Sequence, residues 1–283
     1  MPELPEVEAI RRTLAPELIG ASIHRVRIQR RDVVRDRTGR RRGRLDPVHL
    51  GDGLRIDRVD RRGKQLILGF ENGSGLVLRL GMSGRVDLWS GRIGRTPPHR
   101  HAVWVLQSDH RSERRLAFVD PRRFGGIHLY GSSSDLEDRL LGGLGPEATS
   151  IDSRELQARL GRTTRAIKIA LLDQSLIAGL GNIYVDEALH RARINPTGRA
   201  DRLDSPRIVD LARCVRTILR RAIDAGGSTL RDHRLPSGEE GGYRDAHQVY
   251  GRGTSPCPRC GTSLIEIRLA ARSTTFCPSC QPL

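Results

Sequence analysis

The chain reads as an α+β protein: an N-terminal antiparallel β-sandwich with flanking helices, then a helical domain, then a small C-terminal β-hairpin. Three observations in its 283 residues predict this. Short apolar runs separated by Gly, Asn and Asp recur through residues 1–133, the pattern of an antiparallel sandwich. From residue 151 the apolar period lengthens to that of helices. Two Cys-x-x-Cys pairs close the sequence.

In chain order, Met1 to Ile19 holds a short helix, with Val7, Ile10, Leu14 and Leu18 at helical spacing. Strands are predicted at Ser22–Ile28, Leu54–Asp60, Gln65–Phe70, Gly75–Leu80, Arg85–Trp89, Ala102–Leu106, Arg115–Val119 and Gly126–Tyr130. Eight arginines crowd the fifteen residues Arg30–Arg44, which read first as a solvated loop and second as a phosphate contact. The Ser-rich Gly131–Asp135 starts a linker, and Leu144-Gly145-Pro146-Glu147 opens the helical half. Helices are predicted at Asp152–Leu160, Arg165–Leu172, Asn182–Arg191 and Ser205–Ala225. The last aligns Ile208, Leu211, Val215, Ile218, Leu219 and Ala222 on one face, with Cys214 beside it as a core thiol. The expected division is a sandwich at 1–133, a linker at 134–150, a helical domain at 151–230, a loop and connector at 231–250, and the cysteine hairpin at 251–283.

Cys257-Pro-Arg-Cys260 and Cys277-Pro-Ser-Cys280 stand sixteen residues apart, the spacing of a zinc ribbon. Four thiolates make a closed tetrahedral site, so the one zinc is structural. The alternative is two disulfides, which a reducing compartment disfavours. The residues between alternate enough for a β-hairpin, with Arg272 near its tip or return strand. Metal would hold together a hairpin too short to bury a core of its own.

The formal net charge is +16, which suits a polyanionic partner, most simply nucleic acid; a proteome-wide arginine bias is the alternative. Of 49 basic residues only Lys64 and Lys168 are lysine, and the other 47 are arginine. The two are not interchangeable where a compact ammonium is needed, so both lysines are functional candidates. No run of about 18 apolar residues occurs, which argues against a membrane helix. The acidic start lacks the basic-then-apolar form of a signal peptide, so the expected location is the cytosol.

Several segments carry chemistry. If Met1 is removed, Pro2 presents a secondary amine; α-amino groups titrate near ~8, against ~10.4 for lysine. Such an amine attacks an aldehyde-level carbon to give a cationic iminium, an electron sink, and Glu3 beside it could move protons. The plain alternative is that Pro2 and Pro5 stiffen an N-terminal arm. Arg79-Leu-Gly-Met-Ser-Gly84 and Asp120-Pro-Arg-Arg-Phe-Gly-Gly126 place Met82, Arg122 and Phe124 in Gly-bounded turns. A methionine, an arginine and an aromatic on such turns suit insertion into a base stack, or else they are core. Gly179-Leu-Gly-Asn182 feeds a helix with Asn182 as its expected N-cap, a place where phosphate binds or simply a turn between helices.

Together these segments resemble the formamidopyrimidine-DNA glycosylase family. The resemblance spans essentially the whole chain. It rests on Pro2 to Glu8, Arg62-Gly-Lys64, Leu80 to Gly84, Asp120 to Gly125, Leu144 to Glu147, Ile167-Lys168, Gly179 to Tyr184, Gln248-Val-Tyr-Gly-Arg252 and the four cysteines, in that order. It implies a helix–two-turn–helix domain between sandwich and zinc finger, with double-stranded DNA held in the cleft by a monomer. It implies Pro2 as nucleophile at sugar C1′, Glu3 as proton manager, Lys64 as proton donor in β-elimination, and Arg272 as phosphate grip linked to δ-elimination. Met82, Arg122 and Phe124 match the set that fills the void of an extruded base. His99, Arg122, Arg162, Lys168, Asn182 and Tyr250 fall at DNA-contacting positions. Two departures stand out: Thr163 replaces a frequent basic residue, and His233 stands for an aromatic in the lesion-capping loop at Ser228–Tyr243. The implied activity is excision of 8-oxoguanine and formamidopyrimidines, followed by strand cleavage, with no cofactor beyond zinc. The competing readings are the oxidised-pyrimidine enzymes of the endonuclease VIII branch and a non-catalytic zinc-ribbon DNA binder. Leu4 with the Met82, Arg122, Phe124 set favours the purine branch, and Pro2, Glu3 and Lys64 together favour catalysis.

Overall fold

A computed structural model describes residues 2–35, 50–90, 98–108, 111–228, 235–236 and 238–283. Residues 36–44 of the Arg30–Arg44 loop, and residues 229–234 and 237 of Ser228–Tyr243, His233 among them, lie outside the described residues. The chain forms two compact units, Met1–Gly143 with Gly226–Gly242, and Leu144–Ala225 with Tyr243–Leu283.

The first unit is the β-sandwich. Helix α1 (Leu4–Leu18) opens it, with Pro5 in the first turn, where a missing N–H is harmless. Strands β1 (Ser22–Ile28), β7 (Arg100–Ser108), β8 (Arg111–Val119) and β6 (Arg85–Ser90) form an antiparallel sheet in the order β1-β7-β8-β6. The second sheet runs β2 (Val34–Arg35), β9 (Gly126–Tyr130), β5 (Gly75–Arg79), β4 (Gln65–Phe70), β3 (Ile56–Arg62). Its β2 edge pairs parallel to β9, an exception to the expected antiparallel order, and two residues are too few to read from periodicity. Alternate residues of both sheets meet in one core: Val86, Trp104, Leu116 and Phe118 from one, Leu66, Leu68, Leu76, Leu78, Ile127 and Leu129 from the other. The α1 stripe Val7, Ile10, Leu14, Leu18 joins it. Each such side chain contributes about 1.5–3 kcal/mol relative to exposure.

The sandwich unit extends past the expected boundary at residue 133. Helix α2 (Ser133–Asp135) runs into a π-helical turn, Leu136–Leu141. Arg139 there donates to the Leu129 carbonyl at 2.8 Å, and Arg79 of β5 donates to the Leu140 carbonyl at 3.3 Å. The returning segment adds Leu235 to the core.

The second unit holds α3 (Ser153–Leu160), α4 (Ile167–Leu172), α5 (Asn182–Arg191) and α6 (Ser205–Asp224). Asp152 and Asp204 cap α3 and α6 through their carboxylates. The apolar face read for α6 is buried, Cys214 included. The hairpin β10 (Ile265–Leu269) and β11 (Arg272–Phe276) belongs to this same unit. Gln281 ties it to the helices, accepting from Asn195 on its carbonyl and donating to the Ile194 carbonyl, both at 2.8 Å.

Candidate functional site

Pro2 and Glu3 are buried just ahead of α1. Glu6 holds them: its Oε2 accepts the Glu3 N–H and its Oε1 accepts the Ser228 N–H, both at 2.7 Å. Gly227 (φ +83) packs on that carboxylate, and a Cβ there would stand 2.9 Å from Oε1. Two residues on, Glu8 receives Arg11 at 2.8 Å and Arg61 of β3 at 3.1 Å. Burial alone would raise the Glu8 pKa, but the Arg11 and Arg61 guanidiniums overcome it and hold it at about 2. Arg61 also donates to the Gly63 carbonyl at 2.9 Å. At its far end, beyond α1, the Gly20 N–H meets the Ile56 carbonyl at 2.8 Å. The helix therefore runs antiparallel to β3, and Pro2 and Glu3 lie toward the β3–β4 turn, where Lys64 is half-buried.

Strand register gathers the other candidates at that same rim. Arg62 pairs with Gln65, Gln65 with Arg79, and Arg79 with Gly126 across one sheet. Val119 pairs with Arg85 and with Arg100 across the other. The turns carrying Lys64, Met82, Arg122, Phe124 and His99 thus all leave one edge of the sandwich. Two of them are locked together by Asp120, which is fully buried. Its Oδ1 accepts from Ser83 Oγ at 2.6 Å and its Oδ2 from the Gly125 N–H at 2.8 Å. Ser83 Oγ in turn accepts the Arg122 N–H at 3.2 Å. The backbones touch: a Cβ on Gly81 would lie 2.6 Å from Gly125 N. On this brace Met82 and Phe124 are 38% and 61% exposed, so they are not core. The Arg122 guanidinium stacks 4.7 Å from the centre of the Phe124 ring.

In the second unit two expectations are corrected. Lys168 has no exposed surface; its ammonium lies 2.7 Å from Asp186 Oδ1 and donates to the Ser273 carbonyl at 2.7 Å. Lys168 is therefore a buried structural cation, not a phosphate contact. Asn182 is the first residue of α5 rather than its cap, because Gly181 takes the extended cap conformation. The Asn182 amide donates to the Ser273 carbonyl at 3.0 Å instead. Arg162 and Arg272 are exposed, and Tyr250 is half-buried. Burial raises the Asp186 pKa to about 6, against the opposing pull of Lys168 and the Thr275 N–H. Glu187 accepts the N–H groups of Gln248, Val249 and Tyr250 at 2.9–3.0 Å and so shapes the motif around Tyr250. Burial raises its pKa despite those three donors.

Cys257, Cys260, Cys277 and Cys280 bring their sulfurs within 4.8 Å of one another. Tetrahedral zinc at a Zn–S length of ~2.3 Å separates its sulfurs by roughly 3.8 Å, so four thiolates this close fit one zinc. The Cys280 N–H donates to Cys277 Sγ at 3.3 Å, the type of support a thiolate ligand receives. Glu6, Glu8, Ser83, Asp120, Asp186 and Glu187 are the residues that sequence patterns did not single out. Glu6 carried a local signal of its role, its spacing of three from Glu3 at a helix start.

Family models match the chain in three stretches: the formamidopyrimidine-DNA glycosylase N-terminal domain at 1–127, the formamidopyrimidine-DNA glycosylase H2TH domain at 143–234, and a zinc finger found in FPG and IleRS at 255–283. Formamidopyrimidine-DNA glycosylase of Thermomicrobium roseum is 43% identical over 305 residues, covering 100% of both chains. That of Thermus thermophilus is 41% identical over 285 residues, 99% of this chain and 98% of its own. Among solved structures, the MutM (Fpg) protein of Thermus thermophilus superposes with a TM-score of 0.86 at 40% identity, covering 99% and 98% of the two chains. Lactococcus lactis Fpg in complex with abasic-site DNA gives 0.87 at 33% identity over 100% of each.

Proposed function

The chain belongs to the formamidopyrimidine-DNA glycosylase family, and on that premise we propose that Pro2 is its nucleophile and the sandwich rim its active site. It is a DNA glycosylase; removal of oxidised purines and cleavage at abasic sites are general to its family. The observation that carries the Pro2 assignment is a count of amines. Lyase chemistry through an iminium needs an amine, and arginine does not serve because it does not lose its proton. With Pro2 at the N-terminus the chain has three: Pro2, Lys64 and Lys168. Lys168 is buried in an ion pair. Of the remaining two, Pro2 has the lower intrinsic pKa.

The Pro2 nitrogen lone pair attacks C1′, and the N-glycosidic electrons leave with the damaged base, which takes up a proton. The Pro2 nitrogen sheds its proton, the C1′–O4′ bond breaks as O4′ takes one up, and the resulting open-chain iminium acidifies C2′. Loss of a C2′ proton forms the C2′–C3′ double bond as the C3′–O bond breaks and the 3′ phosphate leaves. Loss of the C4′ proton then expels the 5′ phosphate, and water releases the sugar fragment from Pro2. Glu3 handles sugar protons, Lys64 supplies a proton in the first elimination, and Arg272 holds a phosphate. Met82, Arg122 and Phe124 fill the space of the everted base, and their exposure on a braced rim supports that role. His99, Arg162, Asn182 and Tyr250 are further DNA contacts in this reading. Zinc supplies no chemistry to the reaction; its thiolates shape the hairpin that carries Arg272. The partner is duplex DNA holding an oxidised base, bound by a monomer in the cytosol. Among the described residues no helix is long and apolar enough to cross a membrane.

The test is incubation with a duplex containing 8-oxoguanine opposite cytosine, with and without borohydride. A trapped complex that disappears in Pro2→Gly, and a one-nucleotide gap without borohydride, are expected. Trapping on thymine glycol alone would move the enzyme to the pyrimidine branch.

A further inference from the structure

We propose that Lys168 and Asp186 are positioning residues for Arg272: their buried ion pair clamps β11 and so sets where the Arg272 guanidinium meets a DNA phosphate. This rests on the phosphate role given to Arg272 above. Three side chains from two helices converge on the start of β11. Lys168 of α4 donates to the Ser273 carbonyl at 2.7 Å, and Asn182 of α5 donates to the same oxygen at 3.0 Å. Asp186, one turn along α5, accepts the Thr275 N–H on Oδ2 at 3.2 Å while its Oδ1 faces the Lys168 ammonium. Ser273 adjoins Arg272, so the clamp ends one residue short of the exposed guanidinium.

Burial follows the same line. Thr274 and Thr275 are buried, at 0% and 3% exposure, while Arg272 is exposed. On its other side Arg272 follows Ala270 and Ala271, which hold φ of +47° and +60°, a turn conformation that residues with a Cβ disfavour. A two-residue turn of this kind does not place the arginine by its own preference. The clamped strand does.

The pair also accounts for a lysine in a chain that uses arginine almost everywhere. A site with no exposed surface, bounded by a carboxylate and a carbonyl, accepts a compact ammonium; a planar guanidinium needs more room and more acceptors. Removing one partner alone would strand a buried charge, whereas replacing both with apolar residues of similar volume preserves the packing.

The experiment therefore compares Lys168→Met/Asp186→Leu, Arg272→Ala and the combined variant with the parent, each full-length and zinc-loaded. Affinity for a lesion duplex is measured against salt, and the ratio of β- to β,δ-elimination products is scored. Loss of one phosphate contact lowers the log–log salt slope by about 0.9. The clamp variant should show that loss and a shift toward β products, as Arg272→Ala does, and the combined variant should add nothing further. A clamp variant that keeps its zinc, the parent slope and the parent product ratio, while Arg272→Ala loses both, would overturn the proposal. If the double replacement sheds zinc, Lys168→Arg decides: it keeps the charge but crowds Ser273, so the slope should still fall, and parent behaviour overturns the clamp. Should Arg272→Ala itself match the parent, the phosphate role of Arg272 fails first and the clamp with it.

Discussion

Replacing Glu6 with Gln tests how the nucleophile is held. The carboxylate accepts two backbone N–H groups, from Glu3 and from Ser228, each at 2.7 Å, and is 1% exposed. Hydrogen bonds to a charged group contribute roughly 1.5–3 kcal/mol each, and a buried donor left without a partner costs about 1–3 kcal/mol. Glutamine keeps one acceptor oxygen but turns an NH2 toward the other N–H. The expected loss of stability is therefore about 2–4 kcal/mol, which lowers the melting midpoint by roughly 5–15 °C for a unit of this size. The functional cost is separate. Pro2 and Glu3 lie immediately before this carboxylate, and misplacing reacting groups by about 1 Å costs up to ~100-fold in rate. Single-turnover borohydride trapping, run well below both melting midpoints, should slow at least tenfold by this argument. Glu155→Gln, at an exposed pair with Arg159, is the control that should leave both readouts unchanged. Parent-like trapping and melting in Glu6→Gln would refute the reasoning.

Acid should expose the Glu8 anchor. Its pKa of about 2, against an ordinary 4.5, means the stabilisation is complete above 4.5 and disappears as pH falls toward 2. The stability gap between parent and Glu8→Gln, roughly 3 kcal/mol at neutral pH as an upper bound, should close over that window; a constant gap contradicts the assignment. Asp120→Ala removes the brace between the Met82 and Arg122–Phe124 turns. Excision of a stacked 8-oxoguanine should fall by at least about tenfold more than cleavage of a preformed abasic site, where less unstacking is needed; equal losses would argue against a wedge. Chelation or Cys257→Ser should abolish DNA binding without unfolding the sandwich. Both tryptophans, Trp89 and Trp104, lie in that unit, so their emission should be unchanged while binding is lost.

Periodicity made most of the fold legible. Strands such as Gln65–Phe70 and Gly126–Tyr130 and the helix over Asn182–Arg191 have the bounds read from sequence. The two-residue β2 escaped because alternation needs length, and residues 133–141 read as linker although Arg139 and Leu140 bond back to the sandwich. The chemistry-bearing residues were legible as motifs, yet their environments were not. Lys168 looked like a phosphate ligand, but its partners are Asp186 on another helix and Ser273 on a distant hairpin, a proximity that only tertiary packing creates. Asp120 sits inside a recognisable motif, while its work on Ser83 and Gly125 depends on two turns meeting backbone to backbone. The exposure of Met82 and Phe124 follows from that same brace and keeps both side chains out of the core.

On the proposed mechanism, the covalent bond to DNA forms at Pro2. Its most direct test is mass spectrometry of the borohydride-reduced complex after nuclease digestion and proteolysis, because the candidate amines are only Pro2, Lys64 and Lys168. The sugar remnant is expected on an N-terminal peptide that begins at Pro2, with both lysine peptides unmodified. A remnant on Lys64, or a peptide still beginning with Met1 in protein that traps DNA, would contradict it.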